Sequence, residues 1–460
     1  MGHVVRMTMT GAMGITFVFL IDAANLFWVS LLGDAQLMAA IGFAFAIQFF
    51  SVSSGIGLMI ASTALVSRHI GSGDRTLARR TATGAALTAF VLQSGMGLII
   101  FLLRHDLVAM AGATGETAVL AARYLAISVP SLGVMAVAMN ASGALRAQGD
   151  GKRAMLVTLT SGGVSMLVDP LLIFGLGLGL DGAAWGLVLS RFVMLGMALR
   201  FAIGTHDLLA PLSLDCVRVT MRPFLVIAIP AIVTQLATPV GNYLLTGVMA
   251  QYGDEAMAGW AVVGRLTVVA FGGIFSLSGA IGGIFGQNYG AGRYDRVQRT
   301  YRDALLFGLV YSVATWGVLA LAGAQVAQVF DLTPLGARVV LSFTHIGAGG
   351  FIFASLLFVS NAAFNSLGRP VRSSLVNWFR DGVLTLPLAL WLAGTYGAEG
   401  VIYAQAVASV VVGITAAGWG WYYVACLARR TLPDLDPELD PDLDLDPPRA
   451  HAHVDRFRRR

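Results

Sequence analysis

Residues 165–177 read SMLVDPLLIFGLG, an apolar run holding one acid, Asp169, directly before Pro170. An Asp at the centre of a membrane helix costs about 2.5–3.5 kcal/mol on insertion scales, so its retention asks for a use. On a helix Ser165, four residues earlier, shares a face with Asp169. Pro170 has no N–H to donate and leaves the carbonyl of Met166 without its helical partner. The result is a polar, locally opened stretch that must face protein or water rather than lipid. Ser161 and Gly162, small and near that face, let a neighbouring helix come close. The chemistry open to this set is reversible protonation. A carboxyl that is costly when charged in a dry site can take up a proton on one side of a membrane and release it on the other. Asp22 and Asn25, three apart, form a second polar pair on one helix face. Two acids close together in a dry site resist being charged at once.

Other chemistries lack their residues. Cys216 and Cys426 fit no disulfide framework and no metal spacing. The glycines at 175–179 are followed by no Gly-Lys-Ser/Thr, which argues against a phosphate loop. No metal-ligand cluster and no nucleophile with a base stands out, so the chain is not read as an enzyme and no metal site is expected. Arg191 is the rival that would make Asp169 a structural ion-pair partner. Arg265 and Arg380 read as structural or snorkelling residues, and His345 as a core histidine. Asp381 reads as a solvated acid near the cytoplasmic end of its helix.

The elements that carry these residues must be membrane helices. The chain of 460 residues is 57% hydrophobic and 12% charged, where a soluble domain carries about 25% charge. A span needs about 20 apolar residues, and such runs fall near 8–31, 38–66, 81–103, 118–145, 154–175 and 182–203. A second set falls near 223–250, 256–285, 301–323, 336–366, 373–393 and 399–425. The runs lack the period-two alternation of a membrane barrel. The N-terminus shows no small-residue cleavage site and runs straight into the first span, so it is not read as a signal peptide.

Arginines mark every second loop: Arg68, Arg75, Arg79 and Arg80, then Arg146 and Arg153 with Lys152, then Arg218 and Arg222, and so on to Arg369 and Arg372. The alternate loops LLGDAQ, GLGLGLDG, QYGDEA and GTYGAEG carry neither Arg nor Lys, and Arg104 is the main exception on that side. The positive-inside rule places the Arg-rich loops and both termini in the cytoplasm, with the protein in the cytoplasmic (inner) membrane. Charge scattered in this way predicts no nucleic-acid partner.

GSGDRTLARRT (71–81) matches GAGRYDRVQRT (290–300), and GDGKR (149–153) meets GRPVR (368–372), both at a shift of 219 residues. GDAQLMA (33–39) falls on GDEAMAG (253–259) at nearly the same shift. The chain is therefore predicted to be two parallel six-helix repeats forming two lobes, an all-α membrane protein of twelve transmembrane helices. Its units are an N-terminal lobe (1–203), a cytoplasmic linker (204–222), a C-terminal lobe (223–428) and a tail (429–460). The tail alternates acid, Leu and Pro and is expected to be disordered. In the second copy Leu386 precedes Pro387 where the first has Asp169 and Pro170, so coupling is expected in the N-terminal half.

Six motifs in this order carry a resemblance: LLGDAQLMAAIGFA, HIGSGDRTLARR, SGALRAQGDGKR, LVDPLLIFGLGLGLDGAAWG, GQNYGAGRYDRVQR and RDGVLTLPLAL. Over roughly residues 6 to 425 the chain resembles the multidrug and toxic compound extrusion (MATE) transporters. The resemblance implies a secondary antiporter that exports organic cations in exchange for H⁺ or Na⁺ by alternating access, with no cofactor besides the coupling ion. It implies that Asp169 is the coupling acid of the N-terminal lobe, with Ser165, Asn140, Tyr124 and Asn25 at polar family positions. Asn25 stands where members commonly have an acid, and Asp22 is the candidate substitute. Gln235, Asn242, Phe43, Phe275 and Asn361 are expected at a substrate cavity. The partners implied are small organic cations and membrane lipids, around a monomer. The alternative is a lipid-linked precursor flippase of related architecture, which would want a cavity rich in Arg or Lys.

Overall fold

The structure is a computed structural model that describes residues 2–429; residues 1 and 430–460, the tail among them, lie outside the described residues, as do several span 1 side chains including Asp22. The described chain forms twelve helical rods in sequence. They are span 1 (Gly2–Ser30), span 2 (Ala35–Gly71), span 3 (Arg75–Met110), span 4 (Gly115–Ala147), span 5 (Gly151–Gly175) and span 6 (Gly179–Gly204). Span 7 (Leu214–Ala250), span 8 (Asp254–Gly290), span 9 (Tyr294–Val329), span 10 (Pro334–Ser366), span 11 (370–396) and span 12 (Glu399–Arg429) follow. Ten of these are long and apolar enough to cross a membrane. Span 1 and the interrupted span 11 complete the twelve-helix architecture.

The residues that revealed the repeat are helix punctuation. Gly73 and Gly149 take φ of 80° and 91°, the left-handed region open to glycine, and so end one helix. The next residue caps the following one: Asp74 accepts from the Leu77 N–H at 2.8 Å, and Asp150 from the Arg153 N–H at 3.0 Å. A Gly-Asp pair thus ends one helix and satisfies one of the open N–H groups that begin the next.

Each lobe has its own core. Leu125, Leu132 and Ile100 anchor one in the N-terminal lobe, and Phe271, Ile274 and Val340 one in the C-terminal lobe. The lobes meet through spans 1 and 2 on one side and spans 7 and 8 on the other. Small residues permit this. A Cβ on Gly71 would lie 2.0 Å from the Gln287 carbonyl oxygen, and one on Gly290 would lie 2.0 Å from that of Arg68. These reciprocal contacts sit at the Arg-rich ends of spans 2 and 8. There the Arg68 guanidinium also donates to the Ser366 carbonyl at 2.8 Å.

The linker is shorter than the predicted 204–222, because Ser213 caps span 7 from Leu214 onward. Loop arginines hold it: Arg79 donates to the Leu209 carbonyl at 3.0 Å and pairs with Asp207 at 2.9 Å. Thr83 donates to the Ala210 carbonyl at 3.0 Å.

Candidate functional site

In the N-terminal lobe, span 5 is helical to Pro170 and then widens into a π turn at Leu171–Gly175. The missing proline N–H opens the ladder where the sequence requires it. Asp169 is 1% exposed. Ser165 donates its hydroxyl to Oδ2 at 2.7 Å, as the shared face predicts. Oδ1 has no hydrogen-bond partner and packs against Gly186 of span 6, where an added Cβ would lie 1.9 Å away. Among the described residues no cation pairs with Asp169.

The proposed rival partner is engaged elsewhere. Arg191 is 5% exposed and donates to the Ser128 carbonyl and the Ser131 hydroxyl, both at 2.7 Å, and to Gln48 at 2.9 Å. The break in span 4 at Val129–Ser131 supplies these acceptors. Tyr124 joins that network through its backbone carbonyl, which accepts from the Ser128 hydroxyl at 2.8 Å. Asn140 is buried, its amide nitrogen bonded to the Ala136 carbonyl at 2.8 Å and its oxygen unpartnered. Asn25 likewise keeps a buried, unpartnered amide oxygen, and the Asp22 side chain lies outside the described residues. Asp169 Oδ1 and the amide oxygens of Asn140 and Asn25 are thus three buried acceptors of the N-terminal lobe with no hydrogen-bond partner among the described residues.

The C-terminal lobe holds a cavity of about 290 Å³. Trp260, Phe275, Phe351 and Phe358 wall it, with Arg380 and Asp381 at its polar side. Of the five expected cavity residues, Asn242 and Phe275 line it. Phe43 packs on the N-terminal core instead, and Asn361 is buried against the Asn377 amide at 3.0 Å. Gln235 is half-buried in span 7 and does not line the cavity.

One reading needs correction here, and the structural alternative for Arg380 is decided over the snorkelling one. Asp381 is not a solvated acid at a helix end. It lies eleven residues into span 11, about 16 Å along the helix, and its side chain is 12% exposed. Arg380 bonds both carboxylate oxygens, at 2.7 and 2.9 Å, so it does not snorkel to the membrane surface. The second copy therefore has a partly buried acid of its own, five residues before the Leu386 that aligns with Asp169. It too faces a glycine: a Cβ on Gly241 would lie 2.8 Å from that of Asp381. The signal was present in the sequence as two adjacent opposite charges inside an apolar run.

A family model described as MatE matches residues 12–171 and 230–391. The FAD transporter of Shewanella oneidensis is 25% identical over 426 residues, covering 91% of this chain and 93% of that protein. The multidrug export protein MepA of Staphylococcus aureus is 21% identical over 413 residues, 85% of this chain and 87% of that one. Among solved structures, an outward-facing multidrug resistance MATE transporter superposes with a TM-score of 0.85 at 22% identity, covering 93% of this chain and 96% of its own. A MOP superfamily transporter from Pyrococcus furiosus superposes with a TM-score of 0.86 at 21% identity, covering 92% and 96%.

Proposed function

Because the chain belongs to the MatE family of extrusion transporters, we propose that it is a proton-coupled antiporter that exports flat organic cations by alternating access between its two lobes. The observation that carries this reading is Asp169: 1% exposed, bonded by one hydroxyl, and paired with no cation among the described residues. An ionised carboxylate so placed is costly, and a proton removes the cost. Sodium would ask for several oxygen ligands around the ion, whereas Ser165 is the one described hydrogen-bond partner of this carboxylate. That favours the proton.

The cargo is held in the cavity of the C-terminal lobe, where the faces of Trp260 and Phe275 suit a delocalised positive charge. Proton and cargo then occupy different lobes, and exchange runs through the packing between them. Inter-lobe contact at the Arg-rich ends of spans 2 and 8 fits the outward-open state, with those ends in the cytoplasm. Relatives named for multidrug export and for FAD transport support a cavity that serves more than one flat solute. A flippase for lipid-linked phosphates suits the cavity less, since Arg380 is the one basic side chain in its lining, where such a cargo would want several.

The test is accumulation of a fluorescent organic cation in inverted vesicles under separate pH and sodium gradients. A pH gradient should drive uptake by the parent protein and not by Asp169→Asn. Uptake driven only by sodium would replace the proton in this scheme. Full uptake by Asp169→Asn would leave the acid a structural one.

A further inference from the structure

We propose that the cavity of the C-terminal lobe is also a binding site for flat aromatic anions, whose carboxylate or phosphate is taken by the free edge of Arg380. This rests on the reading of that cavity as the substrate site and adds a ligand class of opposite charge.

A guanidinium carries five N–H donors. In Arg380 the Nε and Nη2 groups are engaged with Asp381 at 2.7 and 2.9 Å, and Nη2 also reaches the Thr238 hydroxyl at 3.3 Å. Among the described residues no acceptor meets Nη1, and Arg380 lines the cavity. The carboxylate beside it has less in reserve, one acceptor position on Oδ1 against both N–H groups of Nη1. Both oxygens of Asp381 accept from Arg380, and Oδ2 also accepts from Thr238 at 3.0 Å. The pair is neutral as a unit, yet the hydrogen-bonding capacity it leaves over is that of a cationic donor.

Three further side chains extend that surplus. Gln405 and Ser409 of span 12 and Asn242 of span 7 line the same cavity, and none has a side-chain hydrogen bond to a described residue. Amide N–H and hydroxyl groups complete the coordination of an anion held by an arginine. The guanidinium is also preorganised. Thr238 braces it from span 7, and Thr385 ties the Arg380 carbonyl at 2.6 Å inside the π turn of span 11. The ligand's body is specified by the walls. Phe275 stands edge-on to Phe351 and Phe358, at 86° and 81°, an aromatic wall on which a ring system packs. A cation meets an Asp381 charge already compensated by Arg380 and turns to these ring faces, whereas an anion meets an unfilled donor.

One fluorescent ring with three head groups separates the charges: pyrenebutyrate, pyrenebutanol and pyrenebutyl-trimethylammonium. Binding to the full chain in lipid nanodiscs is read by tryptophan-to-pyrene energy transfer, against empty nanodiscs. The parent protein should hold pyrenebutyrate at least about tenfold more tightly than pyrenebutanol, the least expected of one hydrogen bond to a charged group. Arg380→Gln should abolish that preference and strengthen binding of the trimethylammonium probe, because Asp381 is released to it. A Gln405→Leu, Ser409→Ala double variant should lower the preference with Arg380 in place. Equal affinities in the parent, or a preference that survives Arg380→Gln, would overturn the proposal. If Arg380→Gln binds no probe at all, the double variant decides, and an undiminished preference there overturns it too. None of these readings uses an ion gradient, so failure of proton coupling would show in vesicle uptake and leave them untouched.

Discussion

Oδ1 of Asp169 occupies space that only a glycine at position 186 leaves open, since a Cβ there would lie 1.9 Å from it. Two helices thus hold the acid: its own, through Ser165, and span 6, through an absent side chain. The carboxylate therefore sits in a seat that a methyl group at position 186 would fill.

Gly186→Ala should therefore displace the carboxylate and reduce pH-driven cation uptake about as severely as Asp169→Asn. Gly196→Ala, on the same span with nothing within 4 Å of the new methyl, serves as the control. Proteoliposomes with matched protein amounts give the comparison. Parent rates for Gly186→Ala would mean that the carboxylate does not need this seat.

The reciprocal glycine contacts between spans 2 and 8 are expected to stabilise one of the two transport states. Gly71→Val and Gly290→Val each place side-chain carbon where a carbonyl oxygen stands 2.0 Å from the Cβ position. The lobes should part at the Arg-rich end. A cysteine introduced at Ser278, which lines a small pocket between the lobes, should then react faster with a thiol reagent added on that side. Unchanged reactivity in both variants would argue that the contact yields without shifting the equilibrium.

Orientation is testable from the two ends of span 8. Gly253 and Gly292 flank a helix of 37 residues, about 55 Å long, so they lie on opposite sides of a membrane. In intact cells a cysteine at Gly253 should react with an impermeant reagent and one at Gly292 should not. The reverse pattern would invert the whole topology.

Asp150 ties the linker to the start of span 5 and sets a pH dependence. Burial pushes its carboxyl up, but the Arg153 backbone N–H, the His206 ring and the Arg153 guanidinium outweigh burial and hold it below the ordinary Asp range. The folded state then releases this proton at lower pH than the unfolded one. The stability it lends is complete above about pH 4 and disappears as pH falls through the lower folded value. Asp150→Asn retains a capping side chain but loses the charge. At pH 7 it should melt a few degrees below the parent in detergent, and the gap should close in acid. A gap of constant size would assign the loss to packing rather than to charge.

The sequence by itself determined the helices, their number and their turning points, because these depend on local quantities. Twenty apolar residues cross a bilayer wherever they occur, and a Gly-Asp pair such as 73–74 or 149–150 ends one helix and caps the next from within its own few atoms. The Ser165–Asp169 bond was legible for the same reason, being set by helical spacing alone. Tertiary structure decided which charges are compensated. Arg191 and Asp169 stand in consecutive spans of one lobe, yet the arginine faces the broken turn of span 4 and the acid faces Gly186. Asp381 lies in a run that sequence placed at the water boundary, and it proved to be a partly buried partner of its neighbour Arg380 beside an aromatic cavity. Arg191 takes its partners from spans 2 and 4, which the fold packs against it. The Arg380–Asp381 pair is local, but the cavity that encloses it is made by side chains of spans 7, 8, 10 and 12, far away in the chain.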